Sequence, residues 1–169
     1  MDRHDMNRRA WLGPCDRLLG PDDEPPLAAH IVTPRLAFTH HGIYVGDGRV
    51  VQYGGLSWGL RGGPVEEVTL LQFAQGHLIG VRLAGSHWFD RDEVIRRARR
   101  RLGEDRYNVF TNNCEHFCEW CVRGEHRSYQ VDELIGRYLR ARNKLIELFC
   151  RTLLLRRDSA EVQDPRVFS

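Results

Sequence analysis

Apolar residues come in short β-type runs through the first half of the chain and at helical spacing through the second. Residues 29–32 open the body as a short strand, and residues 41–45 and 49–53, rich in Ile, Val and Tyr, predict a hairpin around Gly46-Asp47-Gly48. Further short strands are predicted at 65–68, 77–83 and 107–110. Thr69 and Gln72 form a capping box that opens a short helix, which Gly76 ends. Asp90, with Glu93 at the third position, starts a second helix. Its buried stripe is Val94, Ile95, Ala98 and Leu102, and Gly103 stops it. Asn112 or Asn113 caps a third helix that runs to about Val122, with Gly124 beyond its end. A long final helix is predicted over 131–156, so the mixture is α+β.

The hairpin tip decides which side chains meet. A two-residue turn on Asp47-Gly48 puts His40 and Gln52 on opposite faces. A three-residue loop, with Gly48 left-handed, pairs Val45 with Arg49 and Gly42 with Gln52. His40, Gly42, Tyr44, Val50 and Gln52 then share a face. Glycine at the third position favours this loop.

Composition narrows the picture. With 169 residues, 41% hydrophobic and a net charge of +2, the chain fits one soluble domain and does not suggest wholesale nucleic-acid binding. No apolar run approaches the ~18 residues needed to cross a bilayer. The dense stretch Arg96-Arg97-Ala98-Arg99-Arg100-Arg101 is expected to be a solvated helix face. Five cysteines (Cys15, Cys114, Cys118, Cys121 and Cys150) suit no disulfide framework, and a reducing cytoplasm is expected. Residues 1–24 read as a polar extension closed by a Pro-rich boundary and 25–130 as the working domain. Residues 131–157 read as an amphipathic helix and 158–169 as a disordered tail. A Gly-rich loop near 57–64 carries Trp58 and Arg61. The final helix alternates Leu145, Ile146, Phe149, Leu153 and Leu154 with Lys144, Arg151, Arg156 and Arg157. That pattern suits either packing on the body or on a second copy of the chain, or peripheral contact with an anionic membrane.

The chemistry centres on Asn113-Cys114-Glu115-His116-Phe117. Cys114 falls in the first helical turn, where unpaired N–H groups and the helix dipole favour an anion. Cys118 and Cys121 read as core residues. His116, two positions along the helix, points away from Cys114. The base is therefore sought on the distant strand, at His40, with the Gln52 side chain orienting its ring. His41 lies on the other face and reads as structural; His30 and His77 have no special role. The spacing Cys114-x-x-x-Cys118-x-x-Cys121 also matches an iron–sulfur motif. A continuous helix cannot wrap a cluster, however, and too little chain follows for the barrel such motifs open. Zinc is disfavoured for want of a second ligand pair. No cofactor is expected.

At these residues the chain resembles the lecithin:retinol acyltransferase domain. The shared features are Thr39-His40-His41-Gly42-Ile43-Tyr44-Val45-Gly46-Asp47 and, about seventy residues later, Asn113-Cys114-Glu115-His116-Phe117. The resemblance covers residues 25–131 and is similar to the bacterial members in 56–66. It implies a permuted papain-like or NlpC-type fold: a small antiparallel sheet packed against helices, one carrying the nucleophile. It also implies Cys114 as nucleophile, His40 as general base, and acyl esters of phospholipids as substrates. The family usually has a second histidine where this chain has Gln52. The alternatives are a cysteine peptidase or amidase, and a catalytically quiet interaction module that keeps the fold.

Overall fold

The computed structural model describes residues 11–13, 16–20, 22–36, 38–54, 62–83 and 88–161, with side chains as far as 149. Trp58 and Arg61, Cys15, His4, His87 and residues 162–169 lie outside the described residues. The chain divides into two compact units, 1–130 and 131–169.

Among the described residues of the first unit six antiparallel strands form one sheet: β1 (Asp16–Leu18), β2 (His30–Pro34), β3 (Thr39–Gly46), β4 (Arg49–Tyr53), β5 (Val65–Thr69) and β6 (Gly80–Arg82). Their order is β1-β6-β2-β3-β4-β5. The described helices are α1 (Leu70–Ala74), α2 (Arg91–Arg100), α3 (Cys114–Arg123) and α4 (Tyr129–Glu161). The fold class is α+β, as the pattern predicts.

Strand alternation creates two cores. Ile43, Val45, Val51 and Tyr53 point to one face and pack with Val94 and Ala98 of α2 and with Cys114, Phe117, Cys118 and Cys121 of α3. Ile31, Tyr44, Val50 and Val81 point to the other face and pack around Phe73 of α1. Gly42 lies on the second face because nothing larger fits: a Cβ there would stand 2.6 Å from Val50 Cγ1 and 2.9 Å from the Phe73 ring.

The caps follow the sequence. Thr69 and Gln72 close a reciprocal box at the start of α1, Asp90 caps α2, and Asn113 caps α3. Gln75, rather than Gly76 alone, turns left-handed at the end of α1 (φ 49°), and Gly124 does so after α3.

Four local expectations change. At the hairpin tip only Asp47 and Gly48 form the turn, both at positive φ (50° and 65°), and Gly46 pairs with Arg49. A bulge between Tyr44 and Gly46 absorbs the extra residue. Gly42 therefore still pairs with Gln52, and His40 and Gln52 still share a face. The expected consequence holds by a different route: a two-residue turn plus a bulge does the work assigned to a three-residue loop.

Residues 107–110 form a turn closed by a single bridge between Asn108 and Asn112, not a strand. Asn108 Oδ1 accepts from the N–H groups of Phe110 (2.9 Å) and Thr111 (3.0 Å), so a side chain takes the donors a strand would have used. Within the stretch expected to be an extension, Asp16–Leu18 instead edges the sheet against β6. It is held by an Asp16–Arg82 ion pair at 3.3 Å, with Leu19 buried beside it. The last helix continues to Glu161, beyond the end expected near 156. No helix among the described residues is long and apolar enough to cross a membrane.

Candidate active site

The site grows from the end of the β3–β4 ladder. Tyr44 donates its N–H to Ala29, on the β2 side. Alternation then directs the N–H groups of His41 and Thr39 toward β4, but pairing with β4 ends at Gly42–Gln52. Thr39 N–H finds another acceptor, donating to Gln130 Oε1 at 3.0 Å, and the His41 N–H faces the sulfur of Cys114 and lowers its pKa.

Cys114 is the first residue of α3. Asn113 Oδ1 accepts from the N–H groups of Glu115 (2.9 Å) and His116 (3.1 Å), which fixes the helix start. The His116 ring packs back on the Asn113 cap, so it is structural as expected. The Cys114 side chain is buried in the core between the sheet and α3, on the face of Ile43 and Val51. The N–H groups of His41, Glu115 and Cys114 itself surround its sulfur. Burial pushes the thiol up to about 12; the His41 N–H pulls it down, and the adjacent Glu115 charge pushes it further up.

His40 approaches from the other face. Its ring lies 5.3 Å from that of Phe73, and its Nε2 is 2.8 Å from Gln52 Oε1. The amide is oriented by a third group: Gln52 Nε2 donates to Glu66 Oε1 at 3.0 Å, and a carboxylate can only accept. Gln52 therefore presents its oxygen to the ring, His40 carries its proton on Nε2, and Nδ1 keeps a free lone pair. Burial lowers the ring to about 4, against the Gln52 hydrogen bond and together with the nearby Arg35 charge. The structure thus brings His40 and Gln52 together as the sequence suggests. It places Cys114 against the neighbouring residue of the same strand. Among the described residues no hydrogen bond joins the Cys114 sulfur to the His40 ring.

Several residues at the site escape sequence reasoning. Arg35 donates to the Phe73 carbonyl (2.7 Å) and the Pro34 carbonyl (3.0 Å), which holds a half-buried guanidinium near both Cys114 and His40. Glu66 is legible only from register, since it pairs directly with Gln52.

Beneath β3 lies a buried polar chain. Gln130 Nε2 donates to His41 Nε2 (2.9 Å), His41 Nδ1 meets His30 Nε2 (2.8 Å), and His30 Nδ1 meets Glu119 (3.4 Å). Gln130 gives its amide hydrogen to His41 because its oxygen serves Thr39, so each donor along this chain points toward Glu119. Burial lowers both histidines. Glu115, wholly buried, is met by Arg82 (2.6 Å), Ser128 (2.6 Å) and the Gln130 N–H (3.0 Å). Cys118 and Cys121 are buried on the same continuous helix, as core residues.

Fold and site together define an α+β domain organised around a cysteine in the first turn of a helix. The chain belongs to the lecithin retinol acyltransferase family: the family model of that description matches residues 23–127. It is 32% identical over 127 residues to lecithin retinol acyltransferase of Bos taurus, covering 59% of this chain and 55% of that protein. The chain thus spans about half the length of this curated relative.

Proposed function

We propose that the chain is a thiol-dependent acyltransferase or lipid hydrolase, acting on acyl esters of phospholipids within a permuted papain-like domain. One observation carries this reading: a cysteine at a helix start lies beside β3, and the adjacent residue of that strand is a histidine with its tautomer set by Gln52. The free Nδ1 of His40 takes the Cys114 proton as the sulfur turns from the His41 N–H toward the ring. The sulfur bonds to the ester carbonyl carbon, and the backbone N–H of Cys114, the first-turn donor that Asn113 does not take, receives the oxyanion. Collapse breaks the ester C–O bond, and the leaving alcohol regains the proton from His40. Water, an alcohol or an amine then takes the acyl group from the thioester and restores the thiol. Both groups rest neutral, so this is general-base chemistry rather than a standing thiolate–imidazolium pair.

Membrane contact through α4 belongs to the same proposal. Leu145, Ile146 and Phe149 are exposed along a helix that also carries Arg140, Arg142 and Lys144.

A second reading, a catalytically quiet module, is favoured by the deeply buried neutral thiol and by Gln52 in place of the family's usual histidine. Labelling separates the two. A fluorogenic acyl thioester should acylate Cys114 in the unaltered chain and fail to do so in His40→Ala. Equal labelling of both proteins would overturn the acyltransferase reading.

A further inference from the structure

Beyond Arg91 at its start, the arginines of α2 and of the segment that follows it divide into two sets. Arg96 and Arg97 reach Glu93, and Arg99 reaches Glu67 at 3.1 Å. Arg97 also lies between the Phe89 and Trp120 rings and donates to the Trp120 carbonyl at 2.8 Å. Arg100, at the end of the helix, and Arg106, on the following loop, have no carboxylate partner among the described residues. Both border one cavity of about 630 Å³. Arg101 lines it too, donating to Glu104 and to Asn112 Oδ1, and its Nη1 is buried without a hydrogen-bond partner. Trp120 and His126 complete the wall. Glu104 is the cavity's carboxylate, and Arg101 and Tyr53 already engage it. Three guanidinium groups against one occupied carboxylate leave a net positive chamber.

We infer that this cavity binds the phosphate group of a phosphoester, with Arg100 and Arg106 as the exposed clamps and Arg101, held by Glu104 and Asn112, adding positive charge to the wall. Planar guanidinium forks suit a tetrahedral oxyanion. Trp120 gives an apolar wall to whatever the phosphate carries. The volume lies within the roughly 300–1,000 Å³ of small-molecule sites, well beyond what inorganic phosphate fills. Asn112 places the chamber two residues before Cys114. A lipid headgroup and a soluble phosphoester both carry such a phosphate, and the recognition chemistry is the same. This inference stands apart from acyl transfer and survives its failure.

The test follows the His126 imidazole resonances of the full chain by NMR while inorganic phosphate is added. A saturable shift, at least tenfold weaker in Arg100→Gln/Arg106→Gln and unchanged in Cys114→Ser, is the expected result. Both altered arginines are exposed, and the amide spectrum verifies that the variant remains folded. Absence of saturation, or equal affinity in the double variant, overturns the site. Single Arg106→Gln, expected to weaken binding severalfold, decides the matter should the double variant unfold. Competition then identifies the carrier. Displacement by dihexanoylphosphatidic acid at lower concentration than by glycerol 3-phosphate assigns a lipid headgroup, and the reverse order assigns a soluble phosphoester.

Discussion

Replacing Gln52 by leucine removes the acceptor for the His40 Nε2 proton while keeping the volume close to that of the amide. The bond is 2.8 Å long between buried groups. An unpaired buried N–H costs about 1–3 kcal/mol. The ring can escape that cost by moving its proton to Nδ1, the atom required as base. At about 1.4 kcal/mol per factor of ten, the reactive tautomer falls by roughly 5- to 150-fold. Single-turnover acylation by a fluorogenic thioester should slow by one to two orders of magnitude. The melting temperature should fall by a few degrees, at about 2–4 °C per kcal/mol for a chain of this size. Gln52→Glu supplies the second arm. Its carboxylate still accepts from Nε2 but attracts a proton to the ring. The acid limb of the rate profile, set near 4 by the buried His40, should move to higher pH. A folded Gln52→Leu protein with an unchanged acylation rate would refute the assignment of Gln52 as the orienting group.

Other consequences are equally direct. Cys114→Ser should abolish acyl-enzyme formation, seen as loss of the thioester adduct by mass spectrometry. Asn113→Ala removes an oxygen shared by two helix N–H groups and should lower stability by about 1–2 kcal/mol in urea unfolding. Gly42→Ala, crowding Val50 and the Phe73 ring, should cost about 1–3 kcal/mol and disturb the ring that packs on His40. For acid stability the sign follows from His30 and His41, both lowered by burial. The unfolded chain protonates them first, so stability should fall as pH drops below about 6.5. Glu104, held down to about 2 chiefly by its Arg101 hydrogen bond, adds a second decline below about 4.5. Urea unfolding across pH 3–8 checks both stages.

The parts legible in the sequence are those governed by local rules. Thr69, Asp90 and Asn113 announce their helices because a cap needs a particular oxygen at a particular spacing. Ile43, Val45, Val51 and Tyr53 announce a buried face by alternation. Non-local choices are hidden. The three residues Asp16–Leu18 become a strand only because β6 offers an edge and Arg82 a partner. Asn108 converts an apparent strand into a turn through its own side chain. At the site, His40 and Gln52 were recoverable from hairpin geometry, whereas Glu66 needs the β4–β5 register and Arg35 needs the fold. His41 read as a structural residue. Its ring does sit in a buried chain, but its backbone N–H, which no sequence pattern marks, is what meets the sulfur.

That meeting ties reactivity to the seam of the sheet. When the sulfur is alkylated or acylated, the amide proton of residue 41 loses its partner and becomes free to trade with deuterium. Exchange at that one backbone position is thus a native gauge of occupancy at Cys114, needing no dye and no chosen substrate.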